Sequence, residues 1–216
     1  NGTIEFSKDS TNKDGTDGKW GGNPYSDDNN WDGKTYINNM TLFGNNNGKG
    51  LISGYELTIS YGLRLSGNLK EVEFINNGLI LSEGNNNGFG IYNDAGNIWS
   101  IKNNGTILGD FSGISNYSSG SDSDSIIGSL INMGTISSNS STGISNYSAT
   151  LGSSVIESLI NIGVIYGNYS GIFNESLALK SVIGSLLNIG TISGDSYGIS
   201  NSSFNLKTSS SSIGSL

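Results

Sequence analysis

The chain of 216 residues carries a net charge of −8 and contains neither cysteine nor histidine. These absences exclude disulfides, metal sites built from Cys or His, and nucleophilic catalysis that uses a Cys or a Ser-His pair. Arg64 is the one arginine and no basic stripe is present to neutralise phosphates, which excludes nucleic acid as a partner. No apolar run approaches the roughly 18 residues of a membrane-spanning helix, so we expect no membrane contact by this chain.

A polar, acidic insertion loop is predicted near the start of the chain, at residues 8–34. Its stretch from Asp9 to Gly18 has the closely spaced oxygen ligands of a calcium loop. Gly21 stands where an EF-hand needs its bidentate Glu, however, which favours a solvated loop without metal. The loop also holds the candidate binding residues of the chain, the aromatic residues Trp20, Tyr25 and Trp31.

Aromatic side chains on a loop can stack on sugars or grip a protein partner. The alternative is that these three fold back and cover the side of the protein, as most aromatic residues are buried. The sequence leaves both interpretations open.

A seven-residue phrase first appears at Tyr36-Ile-Asn-Asn-Met-Thr-Leu42 and returns 38 residues later. The spacing is longer than in the rest of the chain, so residues 36–73 are predicted to form irregular first coils that carry extra material. We interpret Leu57–Ile59 and Leu63–Leu65 as the additional strand pieces.

Residues 74–216 repeat regularly. The phrase returns as Phe74–Ile80, Ile101–Ile107, Leu130–Ile136, Leu159–Ile165 and Leu186–Ile192. Its third-position Asn stands at Asn76, Asn103, Asn132, Asn161 and Asn188, in steps of 27, 29, 29 and 27 residues. A nearly constant period of this length is typical of a solenoid, in which each unit stacks on the next.

Alternation along the phrase places its first, third and seventh positions inward. An inward Asn must be hydrogen-bonded, and stacking at about 4.8 Å allows each amide to bond to the one in the next coil. The fifth-position Gly is predicted to allow the positive φ of a tight bend.

A second phrase, Gly-Ile-x-Asn, predicts a second face with its own amide ladder at Asn93, Asn116, Asn146, Asn174 and Asn201. The apolar stretch before each first phrase, such as Ile126-Ile127, predicts a third face. The chain is therefore predicted to be all-β, a single three-faced parallel β-helix over residues 1–216 with coils of about 27–30 residues. Since the first and last residues of the chain match segments from within the repeat, we expect the chain to be a piece of a longer exported protein.

The phrases Asn-x-Gly-Thr-Ile-Ser and Gly-Ile-Ser-Asn-Tyr-Ser resemble the passenger domains of bacterial autotransporter (type V secreted) adhesins, over about residues 36–216. The resemblance implies a right-handed β-helix located outside the cell or on the outer membrane surface. It transfers no catalytic residue, metal ligand or cofactor site to this sequence. The expected partners are a host or bacterial surface protein, a glycan, or a second copy of the chain.

Two other functions are open from the residues alone. Some parallel β-helix proteins are polysaccharide lyases or hydrolases, which need clustered carboxylates, and Glu71 and Glu73 near Arg64 form the one such cluster. Ice binding needs regular arrays of Thr; Thr106, Thr135 and Thr191 share a position in the phrase, but Leu79 and Val164 interrupt it. The favoured hypothesis is a non-catalytic adhesin or its stalk.

Overall fold

A computed structural model of the chain describes residues 4–8, 34–39, 41–45, 48–52, 55–83, 87–118, 124–149, 152–177, 179–204 and 209–215. All regular structure in these ranges is β-strand. The strands are β1 Ile4–Lys8, β2 Thr35–Asn38, β3 Thr41–Asn45, β4 Gly48–Ile52, β5 Tyr55–Asn76, β6 Leu79–Glu83, β7 Gly88–Asn103, β8 Thr106–Gly109, β9 Ser112–Ser118, β10 Ser125–Asn132, β11 Thr135–Ser138, β12 Thr142–Ser148, β13 Ser154–Asn161, β14 Val164–Gly167, β15 Ser170–Ser176, β16 Lys180–Asn188, β17 Thr191–Gly194, β18 Tyr197–Ser203 and β19 Ser210–Ile213.

Each regular coil contributes three strand segments, and each segment pairs in parallel with its equivalents in the coils before and after. The short strands β3, β6, β8, β11, β14 and β17 form a six-stranded sheet. The second-phrase strands β9, β12, β15 and β18 form the second face, and β10, β13, β16 and β19 the third. The long strands β5 and β7 run through both of these faces and join them into one sheet. The predicted all-β parallel β-solenoid is confirmed.

The core is a set of apolar columns that run along the axis. On the second face, Ile91, Ile114, Ile144 and Ile172 follow one another in register, and each is at most 1% exposed. Equivalent columns of Ile and Leu come from the other two faces and complete one continuous apolar cluster. Because the columns of the regular coils repeat isoleucine or leucine, side chains in successive coils fit similar spaces, which explains why the phrases repeat.

The sequence pattern predicts that the first phrase forms one face of the coil. In the structure the phrase instead spans a corner between two faces. In the coil at residues 125–138, Leu130 and Asn132 end strand β10, the chain bends at Met133 and Gly134, and Ile136 lies in the short strand β11. The inward positions are those predicted, since Leu130, Asn132 and Ile136 are buried and Met133 is exposed. The third face is therefore continuous with the beginning of the phrase.

The reason for glycine at the fifth position differs from the prediction. None of Gly105, Gly134, Gly163 and Gly190 has a positive φ; among the described glycines that conformation occurs at Gly67, with φ 76°. A Cβ placed on Gly134 would lie 2.0 Å from the carbonyl oxygen of Gly105 in the preceding coil. Glycine is required here because the backbones of successive coils approach too closely for any side chain.

Inward asparagines form a hydrogen-bonded ladder beside this corner. The Asn103 side-chain amide donates to Oδ1 of Asn132 at 2.8 Å, and the Asn132 amide donates to Oδ1 of Asn161 at 2.8 Å. The same bond joins the neighbouring rungs Asn38 to Asn76, Asn76 to Asn103 and Asn161 to Asn188. The second N–H of Asn132 reaches the Val164 carbonyl at 3.0 Å, so both amide donors have acceptors.

A second ladder lies inside the Gly-Ile-x-Asn face. Asn93, Asn116, Asn146, Asn174 and Asn201 are joined in this order by amide hydrogen bonds of 2.7 Å. It begins at Asn93 because the preceding coil has Leu65 in register with it. The side chain of leucine has no N–H to donate, and Oδ1 of Asn93 is buried without a hydrogen-bond partner.

The early coils follow the predicted phrase but differ in what they add. Tyr36 and Asn38 pair with Phe74 and Asn76, so the first copy of the phrase lies in register with the second. Leu63–Leu65, predicted as an extra piece, is the second-face segment of its coil and pairs with Ile91–Asn93. The added material is an antiparallel hairpin of β4 with the beginning of β5, which contains Leu57–Ile59.

Replacing Gly134 by Ala is expected to destabilise the fold, since its Cβ would meet backbone in the preceding coil. Overpacking of this kind typically costs about 1–3 kcal/mol. Gly198→Ala is the matched control, because the nearest atom to its added Cβ is 3.2 Å away. Thermal unfolding followed by circular dichroism measures both variants, and an equal loss in the two would contradict the close-approach explanation.

Asn132→Ala is expected to cost about 2–4 kcal/mol, because it removes the buried bonds with Asn103 and Asn161 and leaves Oδ1 of Asn161 without its donor. The control is Asn104→Ala. Asn104 donates to Oδ1 of Asn77 at 2.7 Å in an exposed pair, where water can replace the lost bond. Denaturant unfolding should show a change of only a few tenths of a kcal/mol in the control; comparable losses would mean that burial does not set the strength of the ladder.

Candidate functional site: an aromatic groove on the second face

The residues proposed from the sequence as a binding loop, Trp20, Tyr25 and Trp31, lie outside the described residues, as does most of the insertion at 8–34. A different group of aromatic residues is brought together on the outer surface of the second face.

The outer surface of the second face carries stacked tyrosines. In β9, Ile114 and Asn116 face the core, so that Tyr117 between Asn116 and Ser118 faces outward. Tyr147 is in register with Tyr117 in the next coil, and their rings are nearly parallel at 5° with centroids 5.6 Å apart. In-register stacking has aligned two side chains that are 30 residues apart in sequence.

The tyrosine stack continues into a larger aromatic cluster toward the preceding coils. Tyr92 lies 6.1 Å from Tyr117 and 4.9 Å from Phe89, and Phe111 lies 5.7 Å from Phe89, all between ring centroids. Phe89, Tyr92 and Tyr117 are at most 6% exposed. This second apolar cluster is separate from the main core and fixes its rings against one another.

A groove of about 290 Å³ opens beside this cluster. It is lined by residues from four successive coils, namely Phe89, Tyr92, Phe111, Ser115, Tyr117, Ser141, Thr142, Ser145, Tyr147, Tyr169, Phe173 and Glu175. Aromatic rings form most of the lining, and serine and threonine contribute hydroxyl groups. Apolar concave surfaces with a few polar groups of this kind are the usual form of a ligand site.

Acidic charge is present at one end of the groove. Glu175 is in register with Tyr147, one coil further along, and its carboxylate accepts a hydrogen bond from Ser202 at 3.1 Å. A carboxylate has acceptor positions beyond the one that this bond uses. At the opposite end of the aromatic cluster, Arg64 and Asp94 form an ion pair of 2.9 Å, and the guanidinium lies 5.9 Å from the centroid of the Tyr61 ring.

Arg64 therefore pairs with Asp94, although the sequence hypothesis associated it with Glu71 and Glu73. These two glutamates face outward on either side of buried Val72, in another part of β5. Glycoside hydrolysis uses two carboxyl groups that flank one bond. Of the groove residues that the structure describes, Glu175 alone bears a carboxylate.

No set of three or more acidic side chains within the described ranges is arranged to hold a metal ion. The described residues also include no helix long and apolar enough to cross a membrane.

In another outward-facing column the residue type changes from polar to apolar along the axis. Asn39, Asn77 and Asn104 form an exposed amide ladder at the fourth position of the phrase. Met133, Ile162 and Ile189 replace asparagine in the later coils, where they are 42%, 49% and 70% exposed. Polar and apolar side chains thus occupy one column without altering the backbone register.

The sequence contained a signal for the groove that its interpretation missed. Asn116-Tyr117-Ser118 and Asn146-Tyr147-Ser148 are equivalent segments of the second phrase, and outward alternation from the buried Asn places both tyrosines on one surface. Phe89, Phe111 and Tyr169 stand just before three copies of the phrase, with Ser141 at that place in the coil between those of Phe111 and Tyr169. Their convergence could be recognised only with the register of the coils in hand.

Burial raises the pKa of Tyr92 well above the ordinary 10.0 of a tyrosine, with a further contribution from the nearby Asp94 carboxylate and smaller ones from Tyr117 and Tyr61; Arg64 acts in the opposite direction. The folded protein therefore holds the phenol neutral. As pH rises, the unfolded chain loses this proton first, near its ordinary pKa. The stabilisation is complete below that value and is lost as the pH rises through it toward the folded value.

Comparison of the chain with protein-family models, curated proteins and solved structures gave no match.

We expect the wild-type protein to lose more stability than Tyr92→Phe when the pH is raised from 8 to 11. The variant keeps the ring in the cluster but has no phenolic proton to lose. Unfolding midpoints in denaturant, measured at each pH for both proteins, give the comparison. Parallel pH profiles would contradict the burial of a neutral Tyr92 phenol.

Proposed function

We propose that this chain is a non-catalytic adhesin-type protein of a bacterial surface, a stiff β-solenoid that presents a binding groove on its side. The observation that carries the proposal is the aromatic groove, in which rings from successive coils are aligned by the solenoid itself. Aromatic side chains fixed by packing lose little conformational entropy on binding, which makes them effective contact residues.

The rest of the molecule supports a role in display. Coils joined by continuous strand pairing and amide ladders produce a body in which each unit is held by its neighbours. Only 13% of residues are charged, and the outward columns are rich in amides and hydroxyls. Such surfaces suit binding by many modest polar contacts.

The narrower proposal is that this is a passenger-type region of an autotransporter adhesin, located outside the cell. Its support is the resemblance of the two repeated phrases together with the parallel solenoid that they form. A binding role is favoured over polysaccharide cleavage because Glu175 has no second carboxylate facing it among the described groove residues.

Adhesion can be measured directly with fluorescent beads coated with the purified chain. We expect these beads to bind host epithelial cells, bacterial cells or one another more than albumin-coated beads do, and soluble chain to compete with the binding. Release of reducing ends from polysaccharides, measured in parallel, tests the enzymatic alternative. Binding equal to that of albumin-coated beads on all three surfaces would refute the adhesin proposal.

A further inference from the structure

We propose that the groove binds a neutral glycan chain lying along the solenoid axis, with one sugar ring against Tyr147 and Phe173 and its hydroxyl groups bonded to Glu175. The inference rests on the proposed binding function and names the ligand class. It follows from where the tyrosine stack ends, from the polar groups around that end, and from the charge of the groove.

The tyrosine stack ends at Tyr147. Tyr117 packs against it in the preceding coil, but the residue in register in the following coil is Glu175, which has no ring. Tyr147 is half-buried, whereas Tyr117 is 6% exposed. In the next coil a carboxylate therefore occupies the column position that holds a tyrosine ring in the two preceding coils.

Phe173 adds a second apolar surface at the same place. It is in register with Ser145 of the preceding coil and with Ser200 of the following one, so an aromatic residue interrupts a serine column beside Glu175. Tyr169, which is exposed, comes from the corner before the same strand. Two or three ring surfaces and a hydrogen-bond acceptor therefore converge on one small volume.

This combination matches the chemistry of a pyranose. A sugar ring has apolar C–H faces that pack on aromatic rings and a rim of hydroxyls that need hydrogen-bond partners. Tyr147 and Phe173 supply the first, and Glu175 with the hydroxyls of Ser145 and Thr142 supplies the second. A purely apolar ligand would leave the Glu175 carboxylate desolvated without compensation, which is costly.

The charge of the groove selects against anionic glycans. No lysine or arginine is among the described residues that line it, and Glu175 adds a negative charge to a chain whose net charge is −8. A uronate or a sulfated sugar would meet like charge in a partly desolvated site. A neutral glycan pays no such electrostatic penalty.

The shape of the groove favours a chain over a single sugar. Its lining begins in the coil of Phe89 and ends in the coil of Glu175, three coil spacings away, or roughly 14 Å at the usual strand spacing. Ser115 and Ser145 repeat along it in register, so equivalent hydroxyls face successive sugars. The chain is expected to lie parallel to the axis because these groups are aligned in that direction.

Isothermal titration calorimetry with four neutral hexasaccharides, maltohexaose, cellohexaose, mannohexaose and N-acetylchitohexaose, tests the proposal. Oligogalacturonate of the same length is the anionic comparison. We expect at least one neutral hexasaccharide to bind, and oligogalacturonate to bind at least tenfold more weakly. Absence of binding by all four neutral hexasaccharides, or tighter binding of the anionic one, would overturn the inference.

Variants that copy residues from neighbouring coils locate the site. Phe173→Ser introduces the residue found at 145 and 200, and Tyr147→Ser introduces the residue that Ser202 contributes to the same column. Each should weaken binding at least tenfold, and Glu175→Gln by a smaller factor, since it keeps one acceptor oxygen. The control is Met133→Asn, which introduces the residue type that the preceding coil has at Asn104. Met133 lies on another side of the coil, so this change should leave the dissociation constant unchanged. Thermal unfolding verifies that all four variants are folded.

The bead assay separates this inference from the proposed function. If wild-type beads adhere and Phe173→Ser beads adhere equally, a site elsewhere, such as a protein-binding surface, mediates adhesion, and the glycan inference alone fails. If wild-type beads do not adhere but the neutral hexasaccharide binds in the groove, the adhesin proposal fails and the glycan site stands.

Discussion

In-register stacking of coils is the constraint on which the rest of the molecule depends, and the inward asparagine amides hold that register. An amide carries both a donor and an acceptor, so each rung can receive a bond from one neighbour and give one to the next. Asn132 does this in the middle of its ladder and also reaches the Val164 carbonyl. A one-residue slip of a strand would turn these amides outward and expose the isoleucines beside them. The asparagine ladder and the apolar columns therefore specify the same alignment of strands. A shift of register that breaks one of them also breaks the other.

The unpaired Oδ1 of Asn93 shows how such a ladder begins. A row of identical amides leaves one acceptor unused at the end where no donor precedes it, and in this ladder Leu65 occupies that preceding place. An unsatisfied buried oxygen costs about 1–3 kcal/mol. In this ladder that cost is incurred once, at Asn93, whereas the bonds accumulate with every added rung, so a longer ladder distributes it over more coils. The first ladder reaches one coil further, to Asn38, where the phrase at Tyr36–Leu42 supplies its amide.

The inner surface of the coil could be predicted from the sequence, and much of the outer surface could not. Inward positions repeat because neighbouring coils must fit, which is why Asn132 and Ile136 were recognisable from spacing alone. Gly134 repeats just as strictly, yet the sequence does not distinguish a positive φ from a close backbone approach; only the position of the Gly105 carbonyl decides between them. The antiparallel hairpin of β4 has no repeat partner. The groove escaped prediction because most of its residues occupy outward columns, where the residue type changes from coil to coil; the repeated Asn-Tyr-Ser segments at Tyr117 and Tyr147 were the one periodic signal there.

This division also explains how a uniform scaffold can carry a specific site. The second-face column that contains Tyr92 continues as Ser115, Ser145, Phe173 and Ser200, while the neighbouring inward column remains isoleucine throughout. Because the outward side chains contribute little to the alignment of coils, an aromatic residue can replace serine there without disturbing the strand pairing beneath it. The stacking distance then determines the spacing of whatever groups are placed outward. Tyr147, Phe173 and Glu175 come close together because two successive coils differ at adjacent outward columns, and the geometry of their meeting is set by the ladders inside.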